Sequence, residues 1–387
     1  MPFYARLGAI PPKRHTQFRK PDGSLYREQV MGTRGFSGIQ SILYHLNPPT
    51  AIAEMRDLGP IIREFGEDGP LRHRHFKTGR MKPGGDAVTG RQFLMGNQDV
   101  AVSLACPTEP MRYFYRNGEG DELLFIHFGR GRIETSYGTL TYLAGDYVVL
   151  PIGTTWRLLP DKGVAHRILV FEAAGQVVPP RRYHNEWGQL LEQSPYCERD
   201  IRIPGELVTH DETGEFEVRV RAQGRLTAML HRHHPLDVVG WDGYLYPWAL
   251  SIHDFEPITG RIHQPPPVHQ TFEGPGFVIC SFVPRLFDYH PQAIPAPYNH
   301  SNVDSDEVIY YVDGNFMSRR GVEESSITLH PSGIPHGPHP GTTEASIGKE
   351  RTEELAVMID TFRPLRVGKA AQEWEDPDYP YSWIQQP

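Results

Sequence analysis

One pattern of spacing occurs twice in this chain, and it restricts the fold more than any other feature. Glu122 is followed by six residues and Gly129, and later comes Pro151-Ile-Gly153-Thr-Thr-Trp156. Glu307 is likewise followed by six residues and Gly314, and then by Pro331-Ser-Gly333-Ile-Pro-His336. The glutamate-to-glycine step reads as a strand running into a turn, and Pro-x-Gly as the tight turn before the next strand. Two copies imply two β units of one kind.

The flanking residues support strands in both copies. Residues 123–128, 132–137 and 147–150 are short β-rich runs bounded by Gly and Asp, and 308–312 and 356–362 are the matching runs of the second half. Gly129, Gly131, Gly138 and Gly145 are placed to supply positive φ angles in the turns. The 36 Pro and 38 Gly suit many short strands better than long helices. Helical patterning is confined to short stretches at 189–193 and 370–374.

The two copies differ in chemistry. His300, Glu307 and His336 place two imidazoles and a carboxylate at the hairpins of the second copy, a donor set suited to ferrous iron with positions left open. In the first copy Tyr115 and Trp156 stand where His300 and His336 stand, so that unit is expected to hold no metal. Asp304 and Asp306 lie near enough to compete for the carboxylate role. Only Glu307 has the six-residue step to glycine.

This arrangement is similar to the two-part signature of a cupin barrel. The expected fold is therefore mainly β: two cupin-like β-barrel or jelly-roll units, a bicupin, with irregular N-terminal and bridging segments. The expected division is 1–225, with a metal-free barrel core at about 110–175, and 226–387, carrying the iron site. The polar N-terminal 110 residues, with a basic run at 72–80, are expected to wrap the first barrel. Residues 175–225, with a short strand at 216–220, are expected to bridge the halves. At 387 residues the chain has room for both units.

Charge and cysteine usage exclude several function classes. The net charge of −8 is spread along the chain without a basic stripe, which argues against nucleic acid as a partner. Cys106, Cys197 and Cys280 have no paired or ligand-like spacing, which fits a reducing cytoplasm. The N-terminus lacks an apolar signal core, and no run approaches membrane-spanning length. The expectation is a cytoplasmic protein that does not engage membrane.

Nineteen histidines make chance clusters common, so position must separate ligands from bystanders. His330 precedes the Pro-x-Gly turn and reads equally as a group near the site or a packed strand end. His339 reads as peripheral. His231, His233 and His234 are consecutive enough that a strand would turn neighbours to opposite faces. His73 and His75 share that ordinary reading. His263 and His269 flank a proline-rich loop able to reach the barrel mouth, and either imidazole has the chemistry of a general base.

Several blocks resemble the homogentisate 1,2-dioxygenase family in its shorter bacterial form. They are Lys13-Arg-His-Thr-Gln-Phe-Arg19 with Pro21-Asp-Gly-Ser-Leu-Tyr26, Asp237-Val-Val-Gly-Trp-Asp-Gly-Tyr-Leu-Tyr-Pro247, Pro297-Tyr-Asn-His300-Ser-Asn302 and Leu329-His330-Pro-Ser-Gly-Ile-Pro-His336-Gly-Pro338. They span nearly the whole chain, and the last two carry the metal motif. The resemblance implies Fe(II) held by His300, Glu307 and His336, with His330 near the substrate and His263 as general base. It implies ring cleavage of homogentisate by O2 to maleylacetoacetate, in tyrosine and phenylalanine breakdown. It also implies a homo-oligomer, trimeric or hexameric.

Two departures from the family pattern bear on substrate. The His-to-Glu step is one residue longer than in the mammalian-type enzymes, which leaves Asp306 at their glutamate spacing. Phe316 stands where the family has a substrate-contacting tyrosine, so Tyr310 or Tyr311 would have to compensate, or the substrate is another hydroquinone. The competing readings are a related cupin dioxygenase acting on gentisate or another hydroquinone, and a non-catalytic metal-binding bicupin.

Overall fold

In the computed structural model, which describes residues 3–314, 316, 319 and 321–384, the regular structure is mainly β, with antiparallel pairing except where Phe114–Asn117 runs parallel to Thr213–Ala222. The first unit is a sandwich of two sheets. Seven strands, among them Phe114–Asn117, Gly131–Thr135 and Thr155–Pro160, face eight strands centred on Glu122–Phe128, Arg167–Ala173 and Asp146–Leu150. Leu124, Ile126, Ile133, Leu158, Ile168 and Val170 fill the space between them.

The strand Glu122–Phe128 is apolar at nearly every position because both its faces are covered. Leu124 and Ile126 point into the first unit's own core. Leu123 and Phe125 point the other way, into a larger core shared with Val308, Tyr310, Ile359 and Ile279 of the second unit. That second unit has one sheet of six strands, in which Phe277–Phe282, Leu355–Thr361, Asp306–Asp313 and Ile327–His330 are neighbours in that order. Its other wall is made largely of loops, with the two-stranded ribbon of Arg285–Leu286 and Arg351–Thr352. An open wall is what leaves space for a cavity.

The halves exchange strands. Arg74–Phe76 adds to the edge of the second unit's sheet beside Ile327–His330, and Arg366–Val367 adds to the eight-stranded sheet of the first. The basic run at 72–80 thus lies in the second unit and does not wrap the first barrel. The rest of the N-terminal segment is also more regular than its polar composition suggests, with strands at Arg27–Gly32, Gln40–His45 and Glu54–Pro60. Glu54–Pro60 is a sheet edge and largely exposed, which accounts for its polar sequence. The hairpin of Thr213–Ala222 and Arg225–His233 straddles residue 225, Val238–Gly243 pairs with Gln40–His45, and Trp248–Ser251 pairs with Asp146–Leu150 of the first unit. Of the two helical stretches, a short helix forms at Lys369–Gln372, while 189–193 is turn and coil.

Gly314 shows why the motif ends in glycine: its φ is +97°, and a Cβ there would lie 2.3 Å from the Glu353 carbonyl oxygen. Gly131 differs from the other predicted turn glycines in having no positive φ. It is needed for space, since a Cβ would come within 2.4 Å of the Leu159 carbonyl oxygen. No helix among the described residues is long and apolar enough to cross a membrane.

Candidate metal centre

His300 and His336 are brought together by backbone, not by side-chain packing alone. Each accepts the other's amide, His300 N–H to His336 O at 2.8 Å and His336 N–H to His300 O at 2.9 Å, so the rings stand with centroids 4.2 Å apart. Glu307 enters from the start of Asp306–Asp313, where it lies opposite His330 on one side and Asp360 on the other. The ligand atoms of His300, Glu307 and His336 all lie within 4.8 Å of one another. Glu307 Oε2 is 3.6 Å from His300 Nε2, and Oε1 is 3.3 Å from His336 Nε2.

Hydrogen bonds behind these groups fix their orientation. His300 Nδ1–H donates to the Tyr298 carbonyl at 3.2 Å, which turns the Nε2 lone pair toward Glu307. His330 Nδ1–H donates to Glu307 Oε1 at 2.7 Å, and its Nε2 accepts from the Tyr379 hydroxyl at 3.0 Å. Burial pushes the His330 pKa down to about 3, so the ring is neutral and carries the one proton that this chain of bonds requires. Burial alone would raise the Glu307 pKa. The three imidazoles around it outweigh that, His330 by a hydrogen bond at 2.7 Å, and hold it well below the usual carboxylate range. His300 is shifted upward, chiefly by the Glu307 carboxylate 3.6 Å away.

A cation fits this set. His336 is buried, yet neither of its ring nitrogens has a hydrogen-bond partner, and Asp360 Oδ1 is also buried without one. Asp360 is pushed up to about 8 by burial and by the neighbouring Glu307 charge. Two imidazoles and a carboxylate are donors that ferrous iron and related divalent ions accept.

The first unit resolves the same charge problem with protein groups. Glu122 lies opposite Glu172 as Glu307 lies opposite Asp360. Arg91 grips Glu122 with both Nη atoms at 2.9 and 3.1 Å, and its Nη1 reaches Glu172 at 3.2 Å. Arg63 and Arg221 complete the pairing of Glu172. Tyr115 and Trp156 stack edge to face where imidazoles would stand. Among the described residues no lysine or arginine forms an ion pair with Glu307 or Asp360 in the second unit.

His300 and Glu307 open onto a cavity of about 780 Å³, whose wall includes His263, His269, Tyr311, Phe316, Arg319 and Asp360. Two expected substrate contacts fall elsewhere. His330 is fully buried behind Glu307 and acts on that carboxylate. Tyr310 points into the core between the units, with its hydroxyl 2.6 Å from His127 Nδ1. Alternation along the strand explains it: Glu307, Ile309 and Tyr311 share the cavity face, and Tyr310 lies on the other. Phe316 does line the cavity, packed on Tyr311 at 4.5 Å.

Neither rival aspartate reaches the set. Asp304 is exposed, and Asp306 is a strand-end staple that accepts the amides of Ser332 and Leu365 at 2.9 and 2.8 Å. His263 is exposed on the cavity wall, 3.2 Å from Asp288 Oδ2. His269 is deeper, and burial pushes its pKa down to about 3. A second cluster joins His234 to His210 and Glu212. The two rings are stacked face to face at 3.9 Å, an arrangement that aims their lone pairs side by side instead of at a common point.

Sequence reasoning missed Asp360, Tyr379 and Arg319. Asp360 was within reach, as a lone acid in the apolar run Leu355–Thr361 at the repeat position of Glu172.

Comparisons with known proteins bear on the family of this chain. A family model described as homogentisate 1,2-dioxygenase N-terminal matches residues 7–252. A protein of Saccharolobus solfataricus called a putative dioxygenase is 43% identical over 386 residues, 99% of each chain. The chain belongs to the homogentisate 1,2-dioxygenase family. Homogentisate 1,2-dioxygenase of Nitrobacter hamburgensis is a more distant member, 27% identical over 289 residues, which are 70% of this chain and 62% of that protein. Among solved structures, a cupin 2 conserved barrel domain protein from Leptotrichia buccalis aligns with 78% of this chain and 100% of its own, at a TM-score of 0.34 and 10% identity.

At this candidate site, Tyr379→Phe removes only the hydroxyl that holds His330. The expected result is a metal affinity lowered by about 10–100-fold with the fold intact, the usual loss when an outer partner of a ligand goes. Metal titration beside a thermal melt checks it.

Proposed function

We propose that the chain is an Fe(II)-dependent dioxygenase that opens the ring of homogentisate with O2 to give maleylacetoacetate, both oxygen atoms ending in the product. The observation that carries this reading is the convergence of His300, Glu307 and His336 at a cavity large enough for an aromatic ring. His300, Glu307 and His336 are the proposed metal ligands. Iron held there would supply the electron path between aromatic ring and O2.

The protein's own groups do the rest. The Tyr379–His330 pair holds Glu307 ionised and oriented. His263 is the proposed base for a ring hydroxyl proton. His269, with its pKa near 3, is too weak a base to take a phenolic proton well. His263→Gln is expected to lower turnover by about 10²–10⁴-fold while leaving metal content unchanged. Unchanged turnover in stopped-flow assays would return the role to His269.

The proposed division of labour is a first unit that carries no metal and a C-terminal unit that carries the iron. A cytoplasmic homo-oligomer, trimeric or hexameric, completes the reading. A second substrate reading rests on Phe316, which offers no hydroxyl at the family's tyrosine position: gentisate or another hydroquinone would then be cleaved. A non-catalytic metal-binding bicupin is the reading from a different class. Oxygen uptake by anaerobically iron-loaded protein separates the three. Stoichiometric uptake with homogentisate supports the first, uptake only with other hydroquinones the second, and no uptake the last.

A further inference from the structure

Arg319 is a cation beside Tyr311, within the field of the Glu307 carboxylate, that the proposed metal set does not use. It lines the same cavity as Glu307 and His300, on the wall formed by Tyr311 and Phe316. Its Nη1 donates to the Gly337 carbonyl, which also accepts from Trp383 Nε1 at 3.0 Å, so part of the guanidinium braces the loop just after His336. Its Nε is buried and has no hydrogen-bond partner. Among the described residues no carboxylate forms an ion pair with it. The other cavity arginines differ: Arg285 is paired with Glu354 at 3.2 Å, and Arg261 is exposed.

A half-buried guanidinium with a buried donor unspent is costly unless an acceptor meets it. Its planar fork matches a carboxylate better than any other common anion of an aromatic metabolite, and such charge-assisted pairs are strong. Bracing Gly337 needs only one N–H, which a neutral side chain could provide. We propose that Arg319 anchors a carboxylate on the substrate, making this cavity selective for hydroquinones that carry an acid group. The proposal rests on the hydroquinone reading above and adds to it that the acid is held by protein, leaving the ring oxygens to the metal set.

The test uses the full chain freed of metal, so that no metal–carboxylate bond contributes. Binding of 2,5-dihydroxyphenylacetate is compared by calorimetry with binding of its neutral isostere, 2,5-dihydroxyphenylacetamide. In the wild type the acid is expected to bind about 10–100-fold more tightly, the worth of one charge-assisted pair. Arg319→Met should bring the two within about threefold, and Arg319→Lys, which keeps charge without the fork, should fall between. In iron-loaded protein the loss should appear in KM for the acid more than in kcat.

Equal affinities in the wild type, or no measurable binding of the acid, overturn the proposal without any variant. A preference that survives in Arg319→Met also overturns it and leaves Arg319 as a brace for Gly337. Should iron-loaded wild type consume no O2 with any hydroquinone while the acid preference holds and depends on Arg319, the dioxygenase reading fails and the anchor stands.

Discussion

Replacing Glu307 with Gln is expected to abolish metal retention while leaving a folded protein. The carboxylate accepts from His330 and lies within reach of His300 and His336, so all three imidazoles are organised around its charge. Glutamine keeps the shape, but can turn an amide N–H toward the His330 ring that donates, and removes the only anionic donor of the set. The loss should therefore exceed the roughly 10–100-fold that follows removal of an outer partner. Metal content after dialysis, with ring-cleavage activity alongside, measures it. Asp304→Asn should keep its metal, since that side chain is exposed. Full metal content in Glu307→Gln would refute the ligand assignment.

The second large effect is expected far from any metal. Arg91→Met leaves Glu122, which is completely buried, without its bidentate partner. Breaking a buried ion pair from one side costs about 3–5 kcal/mol. Denaturant unfolding followed by tryptophan fluorescence should show that loss. The double replacement Arg91→Met with Glu122→Leu should recover much of it, because no uncompensated charge then remains. A single variant as stable as the wild type would show that the pair is not energetically coupled.

The metal motif was legible because its chemistry is local. Glu307 to Gly314 is one strand running into its turn, and Pro331 to His336 one turn, so spacing alone marked the three residues that the fold brings together. The choice between Tyr310 and Tyr311 was also decidable from sequence, since Tyr311 shares parity with Glu307 along the strand and Tyr310 does not. Asp360 could be found by carrying the repeat one strand further, to Glu172. Tyr379 and Arg319 could not. Tyr379 meets His330 from a C-terminal segment with no periodicity, and Arg319 lies at no motif position that would mark it as a cavity residue. Arg91 likewise meets Glu122 across a pairing that no local pattern announces. The N-terminal strands were hidden for another reason, because exposed edge strands carry polar side chains that read as loop.

The strand exchange between the halves constrains how this chain can be made. Arg74–Phe76 leaves the ribosome early, yet its pairing partner Ile327–His330 is among the last strands to appear. Until then the early segment has only waiting contacts, and the sheet it will cover does not exist. Such far-separated pairing slows folding. Conversely, a C-terminal half produced alone would present the bare edge of Ile327–His330, one residue strand away from the metal set, to any other chain with an unpaired edge. A chain cut at the boundary between its two repeats would therefore leave each unit short of a strand that the other supplies, so the two repeats are expected to fold as one body.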